Sequence, residues 1–251
     1  VLALREVERT YRHKFGYSLG YTRTDFEMKD SKNKDQTDTI QLGLHNKYSV
    51  NGWSIKNDLL GRVSFHDIDR SVNWSGGTKS DLNSNYNVYG LSSLNELGKD
   101  LEISKNTKVT PYIGLELGYM MHPSFEEKGG AESLKVDRND AYSLKPNIGI
   151  RLDGEKDFGA TSKWKLKGNI GIGYEYELGN MNNQEKASLT SIEDAYHELA
   201  KTAEDKGRIK TSGYAGVELK ETYGIYITGE YGIGQDKQED YKLGLSLKAM
   251  F

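Results

Sequence analysis

The sequence predicts an all-β protein, a transmembrane antiparallel up-and-down β-barrel with an apolar outer face and a polar lumen. Three observations carry that prediction. Apolar and polar residues alternate along most of the 251 residues, in several runs for ten or more positions. Successive strand side chains point to opposite faces, so each run is a strand with one dry and one wet side. An ordinary strand has about 5–6 residues, whereas a tilted strand crossing a bilayer needs about 9–11. Second, Gly16, Gly20, Gly43, Gly114, Gly118, Gly149, Gly171, Gly173, Gly232 and Gly244 fall largely on the polar side, which keeps a lumen open and lets strands coil. Third, the links alternate between short and long, as periplasmic turns and extracellular loops do in outer-membrane barrels.

The strands follow in order. VLALREVERTYR (1–12) reads as a strand, although Leu4, Val7 and Tyr11 also fit helical spacing. GYSLGYTRTDF (16–26) sets Tyr17, Leu19 and Tyr21 against Ser18, Gly20 and Thr22. TIQLGLHNKYSV (39–50) and GWSIKNDLLGRVSF (52–65) repeat the pattern, with Ile40, Leu42, Leu44, Trp53, Ile55 and Leu59 outward. NYNVYGLSSL (85–94) is weaker. VTPYIGLELGYM (109–120), SLKPNIGIRLDG (143–154) and KWKLKGNIGIGYEYELG (163–179) alternate along their whole length. RIKTSGYAGVEL (208–219), GIYITGEYGIG (224–234) and YKLGLSLKAMF (241–251) complete eleven. Barrel closure asks for an even number, so twelve strands are expected in the parent protein, with one before Val1.

The short links are those at 12–15, 49–52, 153–162 and 221–224; the long ones are 27–38, 67–84, 122–142, 180–207 and 235–240. The link 95–108 is longer than the alternation asks, and 235–240 shorter. Within one long loop, SIEDAYHELAKTAEDKG (191–207) has Ser191 and Asp194 at capping-box spacing and Ile192, Tyr196, Leu199 and Ala203 at helical intervals, predicting a short amphipathic helix at the rim. Tyr17, Tyr21, Tyr48, Tyr86, Tyr89, Tyr119, Tyr174, Tyr176, Tyr231 and Tyr241, from a total of seventeen tyrosines, suit an interfacial girdle.

Composition excludes several classes. Thirty-four basic against thirty-seven acidic residues, net −3, give no electrostatic footprint for nucleic acid. With no cysteine there is neither a disulfide scaffold nor a thiolate metal site. No run approaches the ~18 apolar residues of a membrane helix, but a barrel needs only alternate apolar positions. No metal-ligand, cofactor or calcium-loop spacing is found. His66 with Asp67 and Asp69 in FHDIDR, and Ser124 with His122 and Glu126 in HPSFEE, are the only hydrolase-like groupings. Extended geometry puts His66 and Asp67 on opposite faces, so both groupings read as rim residues and no catalytic site is assigned. The sequence therefore predicts no enzyme; a passive porin, or an outer-membrane barrel hydrolase, are the alternatives.

Facing assignments follow from parity. Ile148, Ile170, Ile227 and Leu245 should meet lipid. Glu116, Arg151, Lys165, Lys167, Glu175, Glu218 and Glu230 should line the lumen, bracing and wetting the wall. In the terminal strand Tyr241, Leu243, Leu245, Leu247 and Phe251 share one face, with Gly244 on the other. An amphipathic strand ending on an aromatic is an exposed edge, ready to add to another sheet.

In order and spacing, GYSLGYTRTDF, TPYIGLELGYM with the following SFEEKGG and LKVDR, YSLKPNIGIRL, and LGLSLKAMF resemble the C-terminal translocator domain of type V autotransporters of Gram-negative bacteria. The resemblance covers nearly all of 1–251, as one translocator domain without an evident first strand or lumenal helix. It implies a twelve-stranded, monomeric outer-membrane barrel that delivers an N-terminal passenger, an adhesin or other surface protein, to the cell surface. It implies as partners outer-membrane lipid, the passenger, periplasmic chaperones and the barrel assembly machinery, which would read Tyr241, Leu243, Gly244, Leu245, Leu247 and Phe251. No cofactor is implied.

Overall fold

The computed structural model describes every residue except 1, 11, 29–32, 74–78, 160–162, 181–184, 193–195, 199–205, 221, 250 and 251, with the backbone alone described at 2–10. Eleven strands form one antiparallel meander: β1 (Leu2–Thr10), β2 (His13–Glu27), β3 (Lys34–Val50), β4 (Trp53–Asn73), β5 (Lys79–Lys99), β7 (Thr107–His122), β10 (Asn139–Asp157), β11 (Trp164–Tyr176), β14 (Gly207–Leu219), β15 (Tyr223–Gly234) and β16 (Glu239–Ala249). A short β6 (Leu101–Ser104) continues β5 beyond Asp100 and also pairs with β7. Each long strand pairs with its sequence neighbour, as an up-and-down barrel requires.

The sheet curls with its polar face inward. Lys14 of β2 and Lys47 of β3 line the same cavity as Lys167 of β11 and Tyr214 of β14, strands far apart in the sheet order. Burial is inverted relative to a water-soluble protein. The outward Ile148, Ile170 and Ile227 are 58–59% exposed, while the inward Glu96 and Glu218 are 8% and 2% exposed. Such a surface is stable only where apolar atoms meet lipid, because water would leave this whole band unburied. Trp164 and Tyr174 bound the band on β11. The ten residue steps from one to the other span about 33 Å of strand at ~3.3 Å each, or about 25 Å of height at ~40° tilt. Tyr86 departs from the expected girdle: it lies inside, its ring stacked between His66 at 4.8 Å and Phe125 at 4.2 Å.

Turn chemistry sets the short end. Asn51 and Gly52 both have positive φ, 51° and 76°, the two-residue pattern that matches strand twist. The link expected to be long at 95–108 is in fact a tight hairpin, since β5 and β6 run to Ser104 and only Lys105–Asn106 turn. The strand simply continues past its last regular alternation.

The long links carry a second, four-stranded sheet in the order β13 (His197–Glu198), β12 (Lys186–Leu189), β9 (Leu134–Val136), β8 (Phe125–Glu126). The helix expected over 191–207 is not present in its described part. Tyr196 is non-helical and His197–Glu198 pair with Lys186 and Ala187; residues 193–195 and 199–205 lie outside the description. Backbone pairing to the neighbouring loop overrides a weak local helical pattern. The buried apolar side chains among the described residues are Leu82, Val88, Val136, Ala141 and Ala187, most of them at this end.

Candidate functional site: the charged lumen

The inner wall is built from ion pairs that span several strands. Glu96 on β5 accepts two hydrogen bonds from the Arg151 guanidinium on β10, reaching over β7, with one N–O distance of 2.8 Å. Lys56 on β4 adds a third contact at 3.0 Å, and Arg151 lies 4.5 Å from the centre of the Tyr112 ring. Gly149 permits that arrangement: a Cβ there would sit 2.4 Å from the Tyr112 hydroxyl and 2.6 Å from the Ile172 carbonyl. A bidentate Arg–carboxylate pair away from bulk water fixes geometry as well as charge.

Lower in the lumen, Glu218 on β14 takes Lys167 of β11 at 2.7 Å and Lys248 of β16 at 2.8 Å, with the Tyr226 hydroxyl donating to the same carboxylate. One buried carboxylate therefore ties four consecutive strands together. Glu175 meets Lys210 at 2.7 Å, Glu116 meets Lys145 at 3.8 Å, Lys165 meets Glu155 at 3.3 Å, and Glu230 meets Lys242 at 3.2 Å. Glu116, Arg151, Lys165, Lys167, Glu175, Glu218 and Glu230 thus each have an opposite charge within 4 Å. Glu96, Lys56 and Glu155 were not singled out by sequence; β5 alternates too weakly past Leu94 to draw attention to Glu96. A cavity of about 550 Å³ opens at the short-turn end, lined by Lys14, Lys47, Lys105, Lys108 and Lys167 among others.

The mouth at the long-loop end is latched. Arg70 donates to both Glu127 oxygens, at 2.8 and 2.5 Å, and Leu134 N–H donates to Glu127 at 2.9 Å. The Asn83–Lys128 bridge pins the same loop to β5. His66 is oriented by Asp35 at 3.2 Å, not by Asp67, and stacks on Tyr86; His122 packs on Tyr86 and Phe125. Both histidines are parts of an aromatic stack under the loop sheet.

Just past the end of β11, Glu177 accepts from Ser143 Oγ at 2.6 Å and from the Gly179 and Leu144 N–H groups. Burial opposes its ionisation, but these bonds and Lys145 outweigh burial and hold the carboxyl below its usual range. A depressed carboxyl contributes stability above its unfolded pKa and loses it as pH falls through the folded value. Protection of the 142–144 and 177–180 amides, relative to their intrinsic exchange, is therefore expected to fall on acidification through that range. Glu177→Gln should flatten the dependence; an unchanged profile would show that Glu177 does not hold this segment.

Comparison with known proteins now decides the family. The profile of the autotransporter β-domain matches residues 2–232. The chain belongs to this family. The autotransporter β-domain described here is similar to an extracellular serine protease of Serratia marcescens (24% identical over 164 residues, 65% of this chain and 15% of that protein). It is also similar to the serine protease EatA of Escherichia coli O78:H11 (27% over 192 residues, 74% of this chain and 13% of that protein). The domain thus spans only about a seventh of the relatives' length. Its fold matches the translocator domain of the autotransporter NalP from Neisseria meningitidis with a TM-score of 0.69 at 15% identity, over 100% of this chain and 79% of that one. The autotransporter β-domain is an outer-membrane barrel, as its apolar band requires.

Proposed function

We propose that this domain anchors a longer surface protein in the outer membrane and translocates its N-terminal passenger. The observation that carries the reading is the inverted barrel: an apolar outer band around a lumen wetted by both charge signs. The relatives are serine proteases, which sets a serine protease beside an adhesin as the passenger. Glu116, Arg151, Lys165, Lys167, Glu175, Glu218 and Glu230 brace the wall and keep it wet; delivery itself requires no covalent step from them. β1 and β16 run in the same direction, as an odd count requires. A twelfth strand, supplied from upstream, would restore antiparallel closure of a monomeric barrel, with a lumenal segment leading to the passenger.

The terminal strand acts as the signal for the barrel assembly machinery, after periplasmic chaperones have kept the chain unfolded. Support comes from its exposure: Tyr241, Leu243, Leu245 and Leu247 are 70–85% exposed, more than the outward residues of inner strands, while Gly244 faces in. Phe251, outside the described residues, completes the pattern. Phe251→Ala is expected to leave unfolded protein in the periplasm and reduce passenger at the surface, while the purified chain still refolds in detergent. Normal display with impaired refolding would reverse the assignment, making Phe251 a packing residue.

A further inference from the structure

One line of the inner wall differs in kind from the ion pairs around it. Ser18 Oγ on β2 lies 2.8 Å from His45 Nε2 on β3, and His45 Nδ1 lies 2.8 Å from Asp58 Oδ1 on β4. We propose that Ser18 is the nucleophile of a lumenal hydrolytic site for small carboxylic esters, with His45 as general base and Asp58 as the carboxylate that orients it. The connectivity is that of an acyl-transfer triad, each ring nitrogen serving one partner. Apart from the His66–Asp35 pair at the rim, the ion-paired carboxylates of the wall face lysine or arginine; the ion partner of Asp58 among the described residues is His45.

The backbone around Ser18 is shaped for the arrangement. Gly16 is the register partner of His45 and Gly43 that of Ser18, so no side chain stands between imidazole and hydroxyl. A Cβ at position 43 would come within 2.4 Å of Ser18 Oγ and 2.9 Å of His45 Nε2. Gly16, Ser18 and Gly20 have G-x-S-x-G spacing, here on an extended strand rather than in a strand-to-helix elbow. The next inward row, Gly20 and Gln41 in register, places an amide on the same face, a donor for a developing oxyanion, while the Arg62 side chain lies over Gly90. Leu60, whose Cδ2 lies 2.7 Å from that same Cβ position, offers apolar contact for a short acyl chain. Ser18 is 4% exposed, while the His45 and Asp58 side chains keep 30% and 29% exposure toward the wet lumen.

The chemistry balances with water alone. Ser18 Oγ bonds to the ester carbonyl carbon as its proton passes to His45 Nε2. The imidazolium returns that proton to the departing alkoxide, releasing an alcohol and leaving acyl-Ser18. Water then gives a proton to His45 and attacks the acyl carbon; Ser18 recovers its proton as the acid leaves. Asp58 stays ionised throughout.

The test uses the outer-membrane protein carrying this chain, treated with diisopropyl fluorophosphate and mapped by mass spectrometry. Phosphorylation is expected at Ser18, at a rate that falls about 10²-fold or more in His45→Gln, the usual worth of a general base. Asp58→Asn keeps the side-chain shape, so a folded, heat-modifiable barrel with slowed labelling is expected from it. With the passenger's own serine nucleophile replaced by alanine, hydrolysis of p-nitrophenyl acetate should vanish in Ser18→Ala while passenger display is unchanged. No label at Ser18, or labelling equally fast in His45→Gln, would make the three residues a structural brace and overturn the proposal, without touching the anchoring role.

Discussion

Glu218→Ala is expected to destabilise the barrel by about 3–5 kcal/mol, toward the lower end, because removing one partner of a buried pair leaves charge uncompensated. Glu218 is 2% exposed, but Lys167 and Lys248 keep 27% and 33% of their side chains exposed, so water can partly relieve them. The measurement is the urea midpoint of the folded barrel in detergent. Glu218→Gln should cost less, since its amide oxygen still accepts from the Tyr226 hydroxyl. An unchanged midpoint for Glu218→Ala would show that four strands do not depend on this contact.

Ile170→Arg is expected to cost about 2–4 kcal/mol, the penalty for a cation near the bilayer midplane. Ile170 stands on the outward face of β11, six residues from Trp164 and four from Tyr174. The neighbouring inward substitution Asn169→Arg should cost less, because the lumen is wet. Heat-modifiable assembly in outer membranes reports both. Equal losses at 169 and 170 would mean that the two faces are assigned wrongly.

Much of this was legible in the sequence because barrel strands repeat with a period of two, and that period fixes the face of every residue once one is known. Ile148, Ile170, Ile227 and Leu245 could be assigned to the outer face without knowing which strand neighbours which. Contacts that cross strands were not legible. Ser18, His45 and Asp58 lie 27 and 13 residues apart and meet only through the register of β2, β3 and β4. The Arg151–Glu96 pair likewise depends on β7 lying between β10 and β5. The rim departs from the sequence pattern for a different reason: at Tyr86 and at His197–Glu198 the loop sheet overrides local patterns.

The location of the buried apolar side chains has a consequence for how the molecule coheres. Val136 and Ala187 pair within the loop sheet, and Leu82 and Ala141 lie at the same end of β5 and β10. The wall holds together by meeting hydrocarbon outside and neutralising charge inside; the cap holds together by expelling water from its own centre, as a water-soluble domain does. The chain is thus one strand meander serving two solvents. Thinning the bilayer or exchanging lipid for detergent changes the surroundings of Ile148 and Ile170, and leaves those of Leu82 and Val136 as they were.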